Sequence, residues 1–269
     1  MDAAQLLHLN FRRRIALLLW ARRLVWLPAV ALVLLAGRGW AIPAGFFGTL
    51  ALAVALNAWE QSLRRQFIRE ATLPRFLGPK LREAYPQLSA RDADLVLRGL
   101  RQFFMAHLRS GRRFVAMPSR IVDAAWHEFI LHTQGYQHWC QAAFGRLLHH
   151  TPAEVLGRDA RRNDGLRRCW YWACKEESID PRRPTRLPLL FALDAKFDVP
   201  GGYRYVPDCR GQEGSGTQCG SSFGDGGGGG SDGAAGDADG FGGSESSGGD
   251  GGGGGDSGCG GGCGGGGGD

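Results

Sequence analysis

The sequence predicts a mainly α-helical protein in three parts: an N-terminal two-helix transmembrane hairpin, a cytoplasmic helical bundle domain, and a disordered glycine-rich C-terminal tail. Three observations carry that reading. Residues 24–59 hold a single charged side chain, Arg38; residues 89–206 repeat apolar side chains at helical spacing; and 31 of the 44 glycines fall in the last 59 of 269 residues. The tail has nine Asp or Glu and no Lys or Arg, so its −9 against an overall +6 leaves +15 for the body. A basic body beside an apolar run points to membrane phospholipid as the counter-surface, with no nucleic acid expected.

A basic segment, 1–23, opens the chain. The run LVWLPAVALVLLAGRGWAIPAGFFGTLALAVALNAW, residues 24–59, reads as two spans turning at GRGW. A span needs about 20 apolar residues. Residues 42–59 meet this, whereas 24–37 does so only if the helix starts near Leu17 and Arg22 and Arg23 snorkel. Trp20, Trp26, Trp40 and Trp59 lie near the expected ends, as an interfacial aromatic belt would. Arg12, Arg13, Arg14, Arg22 and Arg23 before the run, and Arg64, Arg65 and Arg69 after it, face only Arg38 in the turn. That asymmetry places a multi-pass protein in the inner membrane with both termini cytoplasmic. Its seven cysteines are then expected as free thiols.

Residues 60–88 continue as a polar helix and then a connector interrupted by Pro74, Pro79 and Pro86. The helical domain is expected over 89–206. Ser89 caps a helix with Asp92 in its first turn, which ends at Ser110 and Gly111. Ser119 caps a second, with Val122, Trp126, Phe129 and Ile130 on one face, ending near Thr133. A third is expected from about Gln134 to His149, with Tyr136, Trp139, Cys140, Phe144 and Leu147 in its apolar stripe. Thr151, Pro152 and Glu154 form a capping box that puts His149 and His150 at a helix-to-helix junction. Further helices are expected over 166–176 and 189–197, and YRYV as a short extended piece. The tail, 207–269, has too little apolar side chain to offset the entropy of ordering.

Chemistry concentrates in VDAAWHEFILHTQGYQHWCQAAFGRLLHHTP, residues 122–152. Asp123 and His127 are four apart and share a helical face, so they can hydrogen-bond or share a metal. Cys140, His149 or His150 could complete a ligand set if the third helix folds back on the second. His132, five residues from His127, points elsewhere. The plainer reading is a buried Asp123–His127 hydrogen bond locking two helices, with His149 and His150 capping a helix end. No zinc-type spacing such as H-E-x-x-H or C-x-x-C is present. Cys140 lies on an apolar stripe and reads as a core residue.

Three elements of this segment, D-x-x-W-H (Asp123, Trp126, His127), Y-x-x-W-C (Tyr136, Trp139, Cys140) and L-H-H-x-P (Leu148, His149, His150, Pro152), stand with the downstream LPLLFALDAKF and the Cys-containing glycine tail. Together they resemble the bacterial glycine-rich domain-containing proteins, in particular membrane-associated members. Where that resemblance would suggest W-H-x-H, this chain has Phe129 after Glu128. The resemblance implies an architecture but no reaction. The expected function is therefore a membrane-anchored, non-enzymatic interaction or scaffold module without a cofactor. Its partners are membrane lipid and other membrane or cytoplasmic proteins. The alternative is a protein that binds zinc or another transition metal, or an enzyme dependent on it, through Asp123, His127, Cys140, His149 and His150.

Overall fold

The helix that Ser89 opens is the centre of the molecule. The Ser89 hydroxyl accepts from the Asp92 amide and the Asp92 carboxylate accepts from the Ser89 amide at 3.0 Å, a reciprocal capping box. The computed structural model describes residues 3–25, 27, 41–150, 160–207 and 218–219, and among them are eight helices, this one included. They are α1 (Ala3–Leu24), α2 (Ala41–Glu70), α3 (Leu77–Ala84), α4 (Ala90–Arg109), α5 (Arg120–Leu131), α6 (Thr133–Phe144), α7 (Ala160–Glu176) and α8 (Leu189–Lys196). A two-residue parallel pairing joins β1 (Tyr205–Val206) to β2 (Gln218–Cys219). The mainly helical class is as expected.

α4 packs against α2, α3, α5, α7 and α8, and its C-terminal half is buried on all sides from Phe103 to Leu108. The core is aromatic: Phe104 meets Trp139 with ring centroids 4.5 Å apart, and Phe103 meets Trp126 at 4.9 Å. Gly99 is where α8 crosses α4, and a Cβ there would lie 2.5 Å from Leu193 Cδ1. The close crossing requires the missing side chain.

Two helix starts are closed by side chains from elsewhere in the chain. At α5, Ser119 accepts from the Val122 amide as expected. Asp194 of α8, 3% exposed, also takes the Arg120 amide at 2.7 Å, the Ile121 amide at 3.1 Å, the Ser119 hydroxyl at 2.7 Å and the Tyr203 amide at 2.9 Å. At α8, the Leu189 amide goes to Glu177 and the Leu190 amide to Gln102. Each carboxylate or amide meets donors that the helix cannot satisfy internally.

Several boundaries differ from expectation. Residues 60–88 are less a connector than part of the core, since Phe67, Ile68, Leu77 and Leu81 are each at most 1% exposed. Pro79 does not prevent α3 because it sits in the first turn, where no amide is needed. The third predicted helix stops at Phe144, five residues short of His149, because Gly145 turns left-handed at φ 77°. α7 begins at Ala160, earlier than the expected 166. Two residues of the predicted disordered tail, Gln218–Cys219, pair with β1; apart from Pro207 the rest of 207–269, like the Thr151–Glu154 box, lies outside the described residues.

The hairpin region is also only partly described. α1 already occupies the predicted basic segment and runs antiparallel to α2, with Phe11 on Phe67 at 6.1 Å and Ile15 and Leu18 on Leu63. Of the first predicted span only Leu24, Val25 and Leu27 are described; the second falls on α2. No helix among the described residues is long and apolar enough to cross a membrane. Even so, Phe46, Phe47, Leu50, Leu52, Val54 and Trp59 are exposed along α2.

Arg64, expected as a flanking membrane cation, is instead 1% exposed. It pairs with buried Glu60 at 2.8 Å and donates through Nη1 to the Gln141 and Ala142 carbonyls, 3.1 and 2.8 Å away, at the C-terminus of α6. A guanidinium there meets the negative end of the helix dipole.

His107 is the other buried ionisable group of note, 4% exposed. Its Nδ1–H donates to the Arg113 carbonyl at 2.9 Å, which fixes the neutral tautomer. Burial pushes its pKa down to about 4, and Arg146 and Arg112 add to the depression while the Arg113 carbonyl opposes it. The unfolded chain takes up this proton as pH falls through 6.5, whereas the folded one resists until about 4. Folding stability should therefore fall by about 3 kcal/mol between those pH values on account of His107. His107→Gln should flatten that part of the profile in urea denaturation. Asp194→Ala should cost about 3 to 5 kcal/mol, because it strands two buried donors and two partly buried ones. Ser119→Ala, which removes one of two acceptors, should cost about 1 kcal/mol.

Candidate functional site

α5 carries Asp123, Trp126 and His127 on successive turns, and the stretch after Gly145 brings His150 back to them. What guides that stretch is Tyr136 of α6. Its hydroxyl accepts from the Trp126 indole at 3.0 Å and donates to the Leu148 carbonyl at 2.6 Å, so helix, ring and returning chain meet at one oxygen. Burial raises the Tyr136 pKa, keeping that hydroxyl protonated. Two residues beyond Leu148, the His150 ring stacks edge-on against Trp126, 4.7 Å between centroids.

The result is a three-residue cluster. His150 Nε2 is 3.1 Å from Asp123 Oδ1, and His127 Nδ1 is 3.5 Å from Asp123 Oδ2. The two imidazoles lie 4.3 Å apart. One ligand atom from each residue falls within 4.8 Å of the other two, the arrangement among the described residues that could hold a metal ion. Four-coordinate zinc with bonds of about 2 Å separates neighbouring ligand atoms by about 3.3 Å, so small rotamer shifts would close the set. His127 Nδ1 also lies 2.8 Å from the Asp123 carbonyl and would give up that bond to ligate.

The sequence-derived set is thus brought together in part. Asp123, His127 and His150 converge; His149 is exposed and Cys140 is buried within the core, and neither joins them. Burial pushes the Cys140 thiol up to about 11, as it does Cys174 to about 12, so both stay as neutral core thiols. The expected buried Asp123–His127 lock is corrected: His127 sits one turn along the same helix with its side chain 51% exposed. The link between separate segments is Asp123 to His150, whose side chain is 13% exposed. His132 packs on Phe76, away from the cluster.

Tyr136 as the organiser of His150 was not foreseen; a hydroxyl in an apolar stripe, three residues before Trp139, was the available signal. Asp194 was likewise missed, although it is the lone acid in LPLLFALDAKF.

A family model described as UCP032817-like matches residues 63–223, more than half of the chain. The match begins inside α2, where Arg64, Phe67 and Ile68 enter the core, and runs past β2. No curated protein and no solved structure matches.

Because His127 is largely solvated, His127→Ala should change stability by less than about 1 kcal/mol. Tyr136→Phe should cost about 1 to 3 kcal/mol by stranding the Trp126 N–H and the Leu148 carbonyl. Equilibrium urea unfolding of the two variants measures both.

Proposed function

We propose that this chain, which belongs to the UCP032817-like family, is a membrane-held interaction module that binds a divalent transition metal through Asp123, His127 and His150. The observation that carries the metal reading is the convergence of one carboxylate and two imidazoles, two from α5 and one from the chain returning beyond α6. Two nitrogens and one oxygen suit zinc or iron(II), and three protein ligands leave a position for water or a partner's side chain. A ligand supplied by another protein would make the metal a docking point, in keeping with an interaction module rather than an enzyme. The likeness of the D-x-x-W-H and L-H-H-x-P elements to glycine-rich domain-containing proteins belongs to the same proposal, since those elements supply all three ligands.

Membrane attachment rests on the first half of α2. From Pro43 to Trp59 thirteen of the 17 positions are exposed and most of those are apolar, a surface that lipid would cover. The two-span hairpin with cytoplasmic termini is the form this attachment takes. Phe46→Asp with Phe47→Asp and Leu50→Asp should then release the chain from the membrane fraction at alkaline pH. Retention of that variant would remove the support that α2 gives.

For the metal, elemental analysis of the purified chain incubated with zinc or iron(II) should give about one ion per chain. Asp123→Ala and His150→Ala should abolish it, and His149→Ala and Cys140→Ser should leave it intact. Metal retained without His150, or none taken up by the unsubstituted chain, would overturn this reading.

A further inference from the structure

A second feature lies where α4 faces α3. Between α3 and the first half of α4, floored by residues 72–75, runs a groove of about 730 Å³ lined by Arg75, Arg82, Arg91, Arg98 and Arg101 against a single acid, Asp94. Arg101 is committed to structure, donating to the Ile68 and Arg69 carbonyls at 2.9 and 3.2 Å. Arg82, Arg91 and Arg98 are exposed, and among the described residues none has a carboxylate within ion-pair reach. Like charges gathered in a concave site repel one another and favour an anionic occupant.

The chain carries such an occupant. Residues 220–269 hold eight Asp or Glu, with no Lys or Arg. They depart from Cys219, which β2 holds beside β1, and β1 packs on α8. A glycine-rich chain of that length has an end-to-end distance of about 40 Å, more than the roughly 30 Å length of α4. Tethering at Cys219 keeps these carboxylates on the same molecule as the groove, and fifty residues give length enough to span α4. Anionic headgroups are less well placed, because about 16 Å of helix separates Trp59 from the end of α2 at Glu70, where the groove begins.

We propose that the arginine groove between α3 and α4 is the docking site of the chain's own acidic tail, residues 220–269. The contact is between many carboxylates and three free guanidinium groups, so it is salt-sensitive and needs no fixed tail conformation.

The test places one spin label on Cys263 and a second at Thr72→Cys, in the full chain in detergent, with Cys209, Cys219 and Cys259 replaced by Ser. At about 50 mM salt the distance distribution should include a short component, which about 1 M salt removes. Arg82→Glu with Arg91→Glu and Arg98→Glu should remove it at low salt. Replacing the tail's Asp and Glu by Asn and Gln should do the same. These are exposed arginines, so the fold should persist, and the salt titration of the unsubstituted arginine set tests the contact without them. A distribution indifferent to salt and to the arginines would overturn the proposal. So would vesicles containing phosphatidylserine that bind through the same three arginines while the label distances stay unchanged.

Discussion

Asp194 is the interaction on which the domain depends. One carboxylate, almost fully removed from solvent, collects three backbone amides and a hydroxyl from two segments that are distant in sequence. The Ile121 amide and the Ser119 hydroxyl are buried, so without the carboxylate both would carry their desolvation cost unpaired, while the Arg120 and Tyr203 amides are partly buried. The same group is held in place by the packing of α8 across Gly99 of α4. Burial and capping thus reinforce each other: the close crossing brings the acid to α5, and the acid keeps α5 at the angle that the crossing needs. Gly202 belongs to this arrangement, since a Cβ there would come 2.9 Å from Asp194 Cβ.

Arg64 and Glu60 are the counterpart at the other end of the bundle. Buried ion pairs contribute little net stability, because desolvation offsets most of their attraction. Their value here is positional: the guanidinium fits only where α6 ends, and α2 is thereby fixed in rotation against it. A helix docked only by leucines and phenylalanines could turn or slide at small cost; one that places a charge on two particular carbonyls cannot. The arginine counted in the sequence as a positive flank of an apolar run is thus withdrawn from that role by tertiary structure.

Features that depend on local chemistry were legible in the sequence. Ser89 with Asp92, and Ser119, mark helix starts because caps act within three residues of themselves. What sequence reading missed came from distant partners. The third helix was carried past Gly145 because Leu147 and Leu148 kept helical spacing, yet Leu147 is 37% exposed and Leu148 is bound through its carbonyl to Tyr136. At the site, i and i+4 spacing identified Asp123 and His127 as neighbours, but their exposure depends on what α5 packs against. His150 was among the candidates, whereas its selection over His149 follows from the pinning of Leu148. Three prolines make residues 60–88 look like a broken connector, yet the apolar spacing at Leu77 and Leu81 is what the fold buries in α3.

Arg64 and Tyr136 both act through α6, and that links α2 to the cluster. Arg64 holds the last carbonyls of α6; Gly145 follows at once, and a Cβ on it would lie 3.1 Å from Arg64 Nη2. From Gly145 the chain runs to Leu148, which Tyr136 of the same α6 secures, and then to His150. A rotation of α2 would therefore displace the end of α6 and shorten or lengthen the path to His150, while Asp123 and His127 stay with α5 and its Asp194 cap. The cluster joins one side chain that follows α2 and α6 to two that follow α5 and α8. Its geometry therefore depends on how those two helix pairs are packed, which the Arg64 contacts fix on one side and the Asp194 cap on the other.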